Sequence, residues 1–360
     1  MLNSALKLLK KIESHHFKAY IVGGFARDLY LGIESFDVDI CTNATPKDLQ
    51  EIFETSKLSN ETYGSLSLYY NKIRFEITTF RIDLKYIDNR KPIKIKYIDD
   101  LKQDLLRRDF TINTLCINSN GEYIDLLNAR ADIDAHIIKV VGNPKRRLKE
   151  DSLRILRAVR FATVLDFKID PKVKKYIKKH AYLLKKLSYY RKKEELDKIF
   201  TSKNRVYGIS LLKELDLLTV LEIPNLPNIV LTDSIIGIWA QLNPVNYQLT
   251  THEKEMISSI NSILKGTIDK NMLYQHGLYN CEIAGEIMGI DKAIIVALNS
   301  QIAINNSKAI VIDPLQIAAI LNKQPGSFLK DIISDLEEKI VNDKLENNYE
   351  ILKNYIIKNY

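Results

Sequence analysis

The chain has 360 residues, 46% hydrophobic and 27% charged, with a formal charge of +8 and only 13 Gly and 9 Pro. That length exceeds one compact core, and that balance excludes a disordered, collagen-like or fibrous chain, leaving a folded protein of two or more packed units. The three cysteines, Cys41, Cys116 and Cys281, are too scattered for a disulfide framework or a Cys/His zinc site, and the positive charge suits a polyanionic partner.

Residues 1–9 alternate apolar and lysine positions as an amphipathic helix does, without the apolar core and cleavage site of a signal peptide. No run reaches the ~18 apolar residues that cross a bilayer, so the expectation is a cytoplasmic protein with no membrane partner. Strands are expected at 20–22, 36–40, 66–70 and 74–79, from their apolar, β-branched and aromatic content. From about Lys145 onward apolar residues recur at helical spacing, predicting helices over 150–164, 171–186, 189–202, 204–218, 252–265, 292–304 and 326–341. Pro224 and Pro227, with Asn225 and Asn228, interrupt that pattern and predict a boundary between helical subdomains. The fold class is α+β: a mixed first part followed by an all-α remainder.

Gly23-Gly24-Phe25-Ala26-Arg27-Asp28 follows the first strand and opens a helix. Glycines there let backbone approach a ligand, and N–H groups at a helix start favour phosphate oxygens; a plain strand-to-helix turn fits the pair equally well. Next comes Asp37-Val38-Asp39. Alternation on a strand puts Asp37 and Asp39 on one face, roughly 7 Å apart, where they can share divalent cations; a solvent-facing strand edge is the alternative. Glu76, in an otherwise apolar strand, is the best third carboxylate, although a surface-facing Glu is equally compatible.

The run from Asp104 to Asn113 sets Arg107, Arg108 and Asp109 beside an apolar segment. Arginine forks suit triphosphate oxygens, and a carboxylate or Asn113 can hold ribose hydroxyls; a salt-bridged turn would also use these residues. The segment Glu150 to Phe161 reads as a helix with acids in its first turn, carrying Asp151, Arg154, Arg157 and Arg160. Asp151 and Arg154, three residues apart, share a face. Beyond forming an ordinary helix salt bridge, an Arg donor beside an Asp acceptor matches the ring-nitrogen acceptor and exocyclic amine donor of both cytosine and adenine. Guanine and uracil present the reverse order and are refused, so the pair selects C and A without a template.

In order, GGFARD, DVD, EITTFR, RRDFTIN, VGNP with EDSLRILRAVRFA, and the run from Arg191 to Lys198 resemble the motif set of class II tRNA nucleotidyltransferases (CCA-adding enzymes) and bacterial poly(A) polymerases. The resemblance covers about residues 18 to 200. It implies a DNA-polymerase-β-like nucleotidyltransferase head (1–125), a helical neck with the base-reading helix (126–205) and a helical body and tail that bind tRNA (206–360). It further implies that Asp37 and Asp39 hold two Mg²⁺ ions, with Glu76 a further catalytic carboxylate. Gly23, Gly24, Arg27 and Asp28 would form the triphosphate-binding turn. Arg107, Arg108, Asp109 and Asn113 would contact phosphates or ribose, and Asp151 and Arg154 would read the base with Arg157 and Arg160 beside them. Arg191, Glu195 and Lys198 match a neck element that braces the reading helix.

Two departures stand out. Where the family commonly has a glycine pair after Asp125, this chain has Asn128-Ala129-Arg130-Ala131-Asp132, so that turn is built differently. No His-Asp dipeptide occurs, so the phosphohydrolase domain of some relatives is not expected. Residues 83–94 look like the flexible loop needed for switching from C to A, which argues against CC-only activity. Gly64-Ser65-Leu66-Ser67-Leu68 does not resemble the poly(A) polymerase signature. The reading is therefore addition of C, C and A to tRNA from CTP and ATP, with no protein partner evident. The alternatives are a poly(A) or A-adding polymerase and, in another class, a non-catalytic RNA-binding protein of the same fold.

Overall fold

A computed structural model describes residues 1–53, 57–60, 64–87 and 91–360, with the side chains of 57–60, 85–87 and 91–94 excepted. The chain forms two compact units, Met1–Pro224 and Asn225–Tyr360, and the break falls in the Pro/Asn stretch.

The first unit opens with α1 (Leu2–Glu13), which buries Ala5, Leu8, Leu9 and Ile12 and turns its lysines outward, as the 1–9 pattern predicts. There follow β1 (Ala19–Val22), α2 (Gly24–Tyr30), β2 (Asp39–Thr42), α3 (Pro46–Ile52), β3 (Lys57–Asn60), β4 (Ser65–Tyr70) and β5 (Ile73–Thr79). Next come β6 (Arg81–Ile87), β7 (Lys91–Tyr97), α4 (Leu101–Leu106), β8 (Cys116–Ile117) and β9 (Tyr123–Ile124). Strands β3-β4-β5-β2-β1-β8-β9 form one mixed sheet in that order. Its central pair, β2 and β5, is parallel, and β1 flanks β2 antiparallel. Val22, Cys41, Phe80, Leu101, Leu105 and Cys116 pack together beneath it.

Two expectations change here. The strand expected at 36–40 joins the ladder only at Asp39, because Val22 opposite Asp39 is the last residue of β1 and Glu76 is the β5 residue paired to it. Residues 83–94, expected as a loop, are strand wherever they are described: β6 and β7 pair antiparallel from Arg81 opposite Tyr97 to Ile87 opposite Lys91. Residues 88–90 of that expected loop lie outside the described residues.

Helices then dominate: α5 (Ala129–Asp134), α6 (Pro144–Glu150), α7 (Leu153–Leu165), α8 (Pro171–His180), α9 (Tyr189–Phe200) and α10 (Arg205–Glu214), with the short β10 (Ile137–Ile138) and β11 (Lys168–Ile169) paired parallel between them. The turn without the glycine pair is completed by Asp125, whose carboxylate accepts from the N–H groups of Ala129 (2.7 Å) and Arg130 (3.0 Å), while Asn128 takes the left-handed conformation at φ 58°. Helix α10 approaches α7 and α9 closely at Gly208, where a Cβ would sit 2.5 Å from Thr163 Oγ1 and 2.6 Å from Ile199 Cγ2. Gly208→Ala is expected to lower the melting temperature by forcing that contact open, at a cost of about 1–3 kcal/mol.

The second unit is all helix in its regular elements: α11 (Ile235–Leu242), α12 (Thr251–Ile263), α13 (Lys270–Met288), α14 (Lys292–Asn299), α15 (Pro314–Ile320), α16 (Phe328–Val341) and α17 (Tyr349–Asn359). Trp239 is buried against Tyr247, with ring centroids 5.0 Å apart, and a second core gathers Ile312, Ile317, Ile332, Leu336, Ile340 and Leu352.

Candidate active site

The site is built at the edge where the β1–β2–β5 ladder ends. Val38 and Ile40 are buried on one side of the chain, while Asp37 is exposed and Asp39 half-buried on the other, so the two acids share a face. Glu76 is the register partner of Asp39 on the parallel β5 and is itself exposed between buried Phe75 and Ile77. Burial, then the charge of Asp37, and further the charge of Glu76 push the Asp39 carboxyl up to about 6, against the opposing pull of Arg108 and Arg157.

The glycine turn closes onto this face. Gly23 has φ 84° and ψ −137°, a conformation essentially reserved for glycine. A Cβ there would lie 3.5 Å from Asp39 Oδ2 and 3.8 Å from Arg108 Nη1, so the turn, the acid and the guanidinium border one small volume. Gly23→Val is expected to cost stability and to depress nucleotide incorporation more than it lowers the melting temperature would suggest, since the branched side chain must also displace Asp39. Equal incorporation by the folded variant, measured under single turnover, would contradict that placement.

Arg108 is aimed at this volume by Asp104, a fully buried acid. Asp104 accepts from Arg107 Nε at 2.8 Å, from Arg108 Nη2 at 3.3 Å and from the Arg81 N–H at 3.1 Å. Burial disfavours the charge on Arg108, but Asp104 and nearby groups more than offset it and hold the guanidinium firmly protonated. Asp104 lay within the motif quoted from the sequence without being read as a site residue; its i,i+3 and i,i+4 spacing to the two arginines was the available signal.

Asp109 points the other way, into the protein. It accepts from Arg157 Nε at 2.7 Å, from Arg157 Nη2, from Asn113 Nδ2 at 3.1 Å and from its own chain at Phe110 N–H. Burial alone would raise its pKa, yet Arg157 and these donors prevail and hold it well below the usual carboxylate range. Asn113 Oδ1 in turn accepts from Arg27 Nη1 at 2.6 Å, and Arg27 also donates to Asp28 at 2.8 Å. Arg27, Asp28, Asp109, Asn113 and Arg157 therefore form one buried network tying α2 and the RRD segment to α7. The guanidinium carbons of Arg27, Arg157 and Arg160 lie 5.3, 5.2 and 4.2 Å from the centroid of the Phe161 ring, a residue not singled out from the sequence.

The expected helix over 150–164 is two helices. Asp151 is extended (φ −142°, ψ 103°) and its carboxylate accepts from Leu153 N–H at 3.0 Å, which ends α6 and starts α7. The acids thus precede α7 rather than occupying its first turn. Arg154 is buried, donating to the carbonyls of Arg147 (2.7 Å) and Arg107 (3.4 Å), and its ionic contact is with Glu150 at 3.7 Å. Asp151 couples to Arg154 through charge, but burial outweighs that pull and raises its pKa. Arg147, which sequence reasoning passed over, donates through Nη2 to the carbonyls of Arg107 and Arg108 and pairs with Glu150 at 2.6 Å. No local spacing forecasts a contact about 40 residues away.

In the neck helix α9, Glu195 pairs with Arg160 at 3.3 Å, Arg191 pairs with its neighbour Glu194 at 2.9 Å, and Lys198 is exposed. Of the three, Glu195 is the residue that reaches the α7 side chains.

The donor set fits a hard divalent cation. Among the described residues no three acids, histidines or cysteines close around a point, and Asp37 with Asp39 forms an open pair. Mg²⁺ is bound in that manner, by one or two carboxylates with water and substrate phosphates completing the shell.

A carboxylate-bearing sheet edge next to a glycine turn and a fixed arginine is the apparatus of a nucleotidyltransferase. The description "Poly A polymerase head domain" matches residues 19–139, and "Probable RNA and SrmB- binding site of polymerase A" matches residues 166–228. The CCA-adding enzyme of Limosilactobacillus reuteri (strain DSM 20016) is 31% identical over 97% of this chain and 94% of its own, and that of Lactococcus lactis subsp. cremoris (strain SK11) is 32% identical over 95% and 93%. The crystal structure of the Bacillus stearothermophilus CCA-adding enzyme in complex with CTP superposes with a TM-score of 0.85 at 24% identity, covering 99% of this chain and 96% of that one, which establishes a shared fold. The chain belongs to the CCA-adding enzyme family, whose nucleotidyltransferases work with divalent metal ions. No helix among the described residues is long and apolar enough to cross a membrane.

Proposed function

We propose that this protein adds C, C and A in turn to the 3′ end of tRNA, using CTP and ATP and releasing pyrophosphate. The observation that carries the reading is one continuous arrangement in the first unit. The Asp37/Asp39 face, the Gly23 turn and Arg108 lie together, and the segment bearing Arg107, Arg108 and Asp109 is bonded directly to α7 and to Arg147 at its approach.

Asp37 and Asp39 would hold two Mg²⁺ ions, with Glu76 beside them; bound there, the ions supply acidity to the tRNA 3′-hydroxyl and neutralise charge on the triphosphate. The chain's own groups do the positioning. The Gly23–Gly24 backbone leaves room for phosphate oxygens, and Arg108, held by Asp104, offers its guanidinium to them. Asp151, just ahead of α7, is the acceptor that meets the exocyclic amine of C or A. Arg154, anchored on backbone carbonyls, fixes the approach to that helix and supplies the donor edge. Arg27, Asp28, Asp109, Asn113 and Arg157 hold these parts in register, and Glu195 steadies Arg160. Both arginines pair with Asp104, but Nη1 of Arg108 borders the Gly23 turn, which makes Arg108 the better phosphate ligand of the two.

The division of labour we propose is a catalytic head over 1–125, a reading neck over 126–205 and an RNA-binding body and tail over 206–360; the head match to residues 19–139 extends past that head, and the RNA-binding match to 166–228 lies mostly in the neck. The lysines of α8 add to that surface: Lys172, Lys175 and Lys179 fall on one helical face, while Lys174 is occupied by Glu214 at 2.8 Å.

The reading is tested by offering the four nucleotides singly to a tRNA that ends at the discriminator base. The wild-type enzyme should take CTP and refuse GTP and UTP. Asp151→Ala should narrow that gap, by about 1–3 kcal/mol of discrimination, with little change in tRNA affinity. A variant that loses all four nucleotides in proportion would remove Asp151 from base reading.

A further inference from the structure

We propose that Arg74 and Tyr69 seat the last nucleotide of the RNA being extended, the guanidinium on its 5′ phosphodiester and the phenol ring against its base; this rests on the RNA-extending activity proposed above. Both residues stand on the open face of the sheet beside the acids.

That face follows from register. In β5, Phe75, Ile77 and Thr79 are buried while Arg74 and Glu76 are exposed. Strand β4 pairs with it antiparallel, Tyr69 opposite Arg74 and Ser67 opposite Glu76, and residues directly opposite share a face. Asp39 is the partner of Glu76 on the other side, so Asp39, Glu76 and Ser67 form one row across β2, β5 and β4. Arg74 leans diagonally across to β4 and donates through Nε to Ser67 Oγ at 2.9 Å, which carries its guanidinium towards that row. Its two terminal nitrogens have no partner among the described residues, Glu76 included. A guanidinium fixed at Nε with its other nitrogens free suits the two unbridged oxygens of a phosphodiester. The Tyr69 ring beside it is 66% exposed.

The side of attack decides which phosphate this is. In the sheet, β1 flanks β2 on one side, while β5 and then β4 lie on the other. Gly23, which follows β1, and Arg108 border Asp39, so the triphosphate and its leaving pyrophosphate belong on the β1 side. The 3′-oxygen bonds to the α-phosphorus as the bond to pyrophosphate breaks, and in-line displacement sets those two oxygens on opposite sides of the phosphorus. The 3′-hydroxyl therefore enters over β5, and the nucleotide that carries it lies over β5 and β4. There Arg74 offsets the repulsion between a phosphodiester and the acids, and Tyr69 offers a flat surface to a base of any identity.

The test removes the same charge from both partners. One substrate is tRNA ending at the discriminator base; the other carries a methylphosphonate at its last internucleotide linkage, which keeps the shape and deletes the charge. In single-turnover CTP incorporation the wild type should be about tenfold slower on the neutral linkage, and Arg74→Ala about tenfold slower on normal tRNA with no further loss on the neutral one. Arg74→Lys should recover part of the rate, and the KM for CTP should stay within about twofold. Tyr69→Ala should slow incorporation about fivefold and Tyr69→Phe should not, because stacking needs the ring and not the hydroxyl. Since both side chains are exposed, melting temperatures should be unchanged. A wild-type rate for Arg74→Ala, a full additional loss on the neutral linkage, or a raised KM for CTP with normal use of tRNA would each overturn the proposal. If the wild-type enzyme extended neither RNA, the activity proposed above would fail. Fluorescence anisotropy of the two RNAs would then decide on Arg74: tighter binding of the charged linkage by wild type but not by Arg74→Ala would uphold its role, and equal preference in both would end it.

Discussion

Asp39→Asn is expected to abolish nucleotide incorporation and, in the absence of divalent metal, to make the protein more stable. The first effect follows from removing a cation ligand at the reacting centre and should reach roughly a thousandfold or more, the scale on which groups that stabilise developing transition-state charge act. The second follows from the electrostatics of the empty-handed acids: burial, Asp37 and Glu76 push Asp39 up to about 6, so at neutral pH its ionised form opposes folding. The cost is at most about 3 kcal/mol. The sign fixes the pH dependence. A carboxyl whose folded pKa is raised has its penalty at high pH and sheds it as pH falls from about 6 towards the unfolded value near 4. Thermal melts with EDTA should show the asparagine variant gaining at pH 7.5 and converging with the wild type near pH 4. A variant less stable than wild type at pH 7.5 would mean that Asp39 is held by partners instead of crowded by like charge.

Arg157→Met should have the opposite character, destabilising strongly and affecting every nucleotide alike. Arg157 donates twice to Asp109, and both side chains are largely withdrawn from water, at 31% and 12% exposure. Removing one partner leaves a buried charge behind, which typically costs about 3–5 kcal/mol. Asp109 sits well below the usual carboxylate range, so its contribution is complete above the unfolded pKa near 4 and is lost as pH falls below it. The methionine variant should therefore lose much of the wild-type dependence on acid in urea titrations between pH 5 and 2. Its residual incorporation should fall in proportion for all nucleotides, leaving the preference for CTP and ATP over GTP and UTP intact, in contrast to Asp151→Ala. Retention of full stability would show that the pair does not anchor α7.

What the sequence made legible was the chemistry carried by short spacing. Asp37 and Asp39 share a face as the alternation expected of a strand requires, although the chain is in the sheet only from Asp39, and Glu76 stands opposite Asp39 because β2 and β5 are the parallel pair at the centre of the sheet. The second of these facts is one of register, which local sequence does not hold. The hairpin of β6 and β7 was readable in principle: Ile82, Leu84 and Tyr86, and Ile93, Ile95 and Tyr97, alternate with polar residues at period two, yet the likeness of 83–94 to the family's switching loop between EITTFR and RRD suggested a loop. The break at Asp151 was hidden because acids before an apolar helical run look the same whether they begin that helix or cap it from outside. Helix α11, apolar on nearly every side, has no period to find, and α13 is interrupted at Gly277, with φ 78°. The network was the least accessible part, since Arg27 meets Asn113 across 86 residues and Arg147 meets the carbonyl of Arg108 across 39.

The most direct measurement is the sequence of products made from tRNA lacking its terminal three nucleotides when CTP and ATP are supplied together. The geometry predicts two C residues and one A, followed by arrest, with no extension by Asp37→Asn. A lengthening tail of A, or an unextended tRNA in the presence of magnesium, would contradict it.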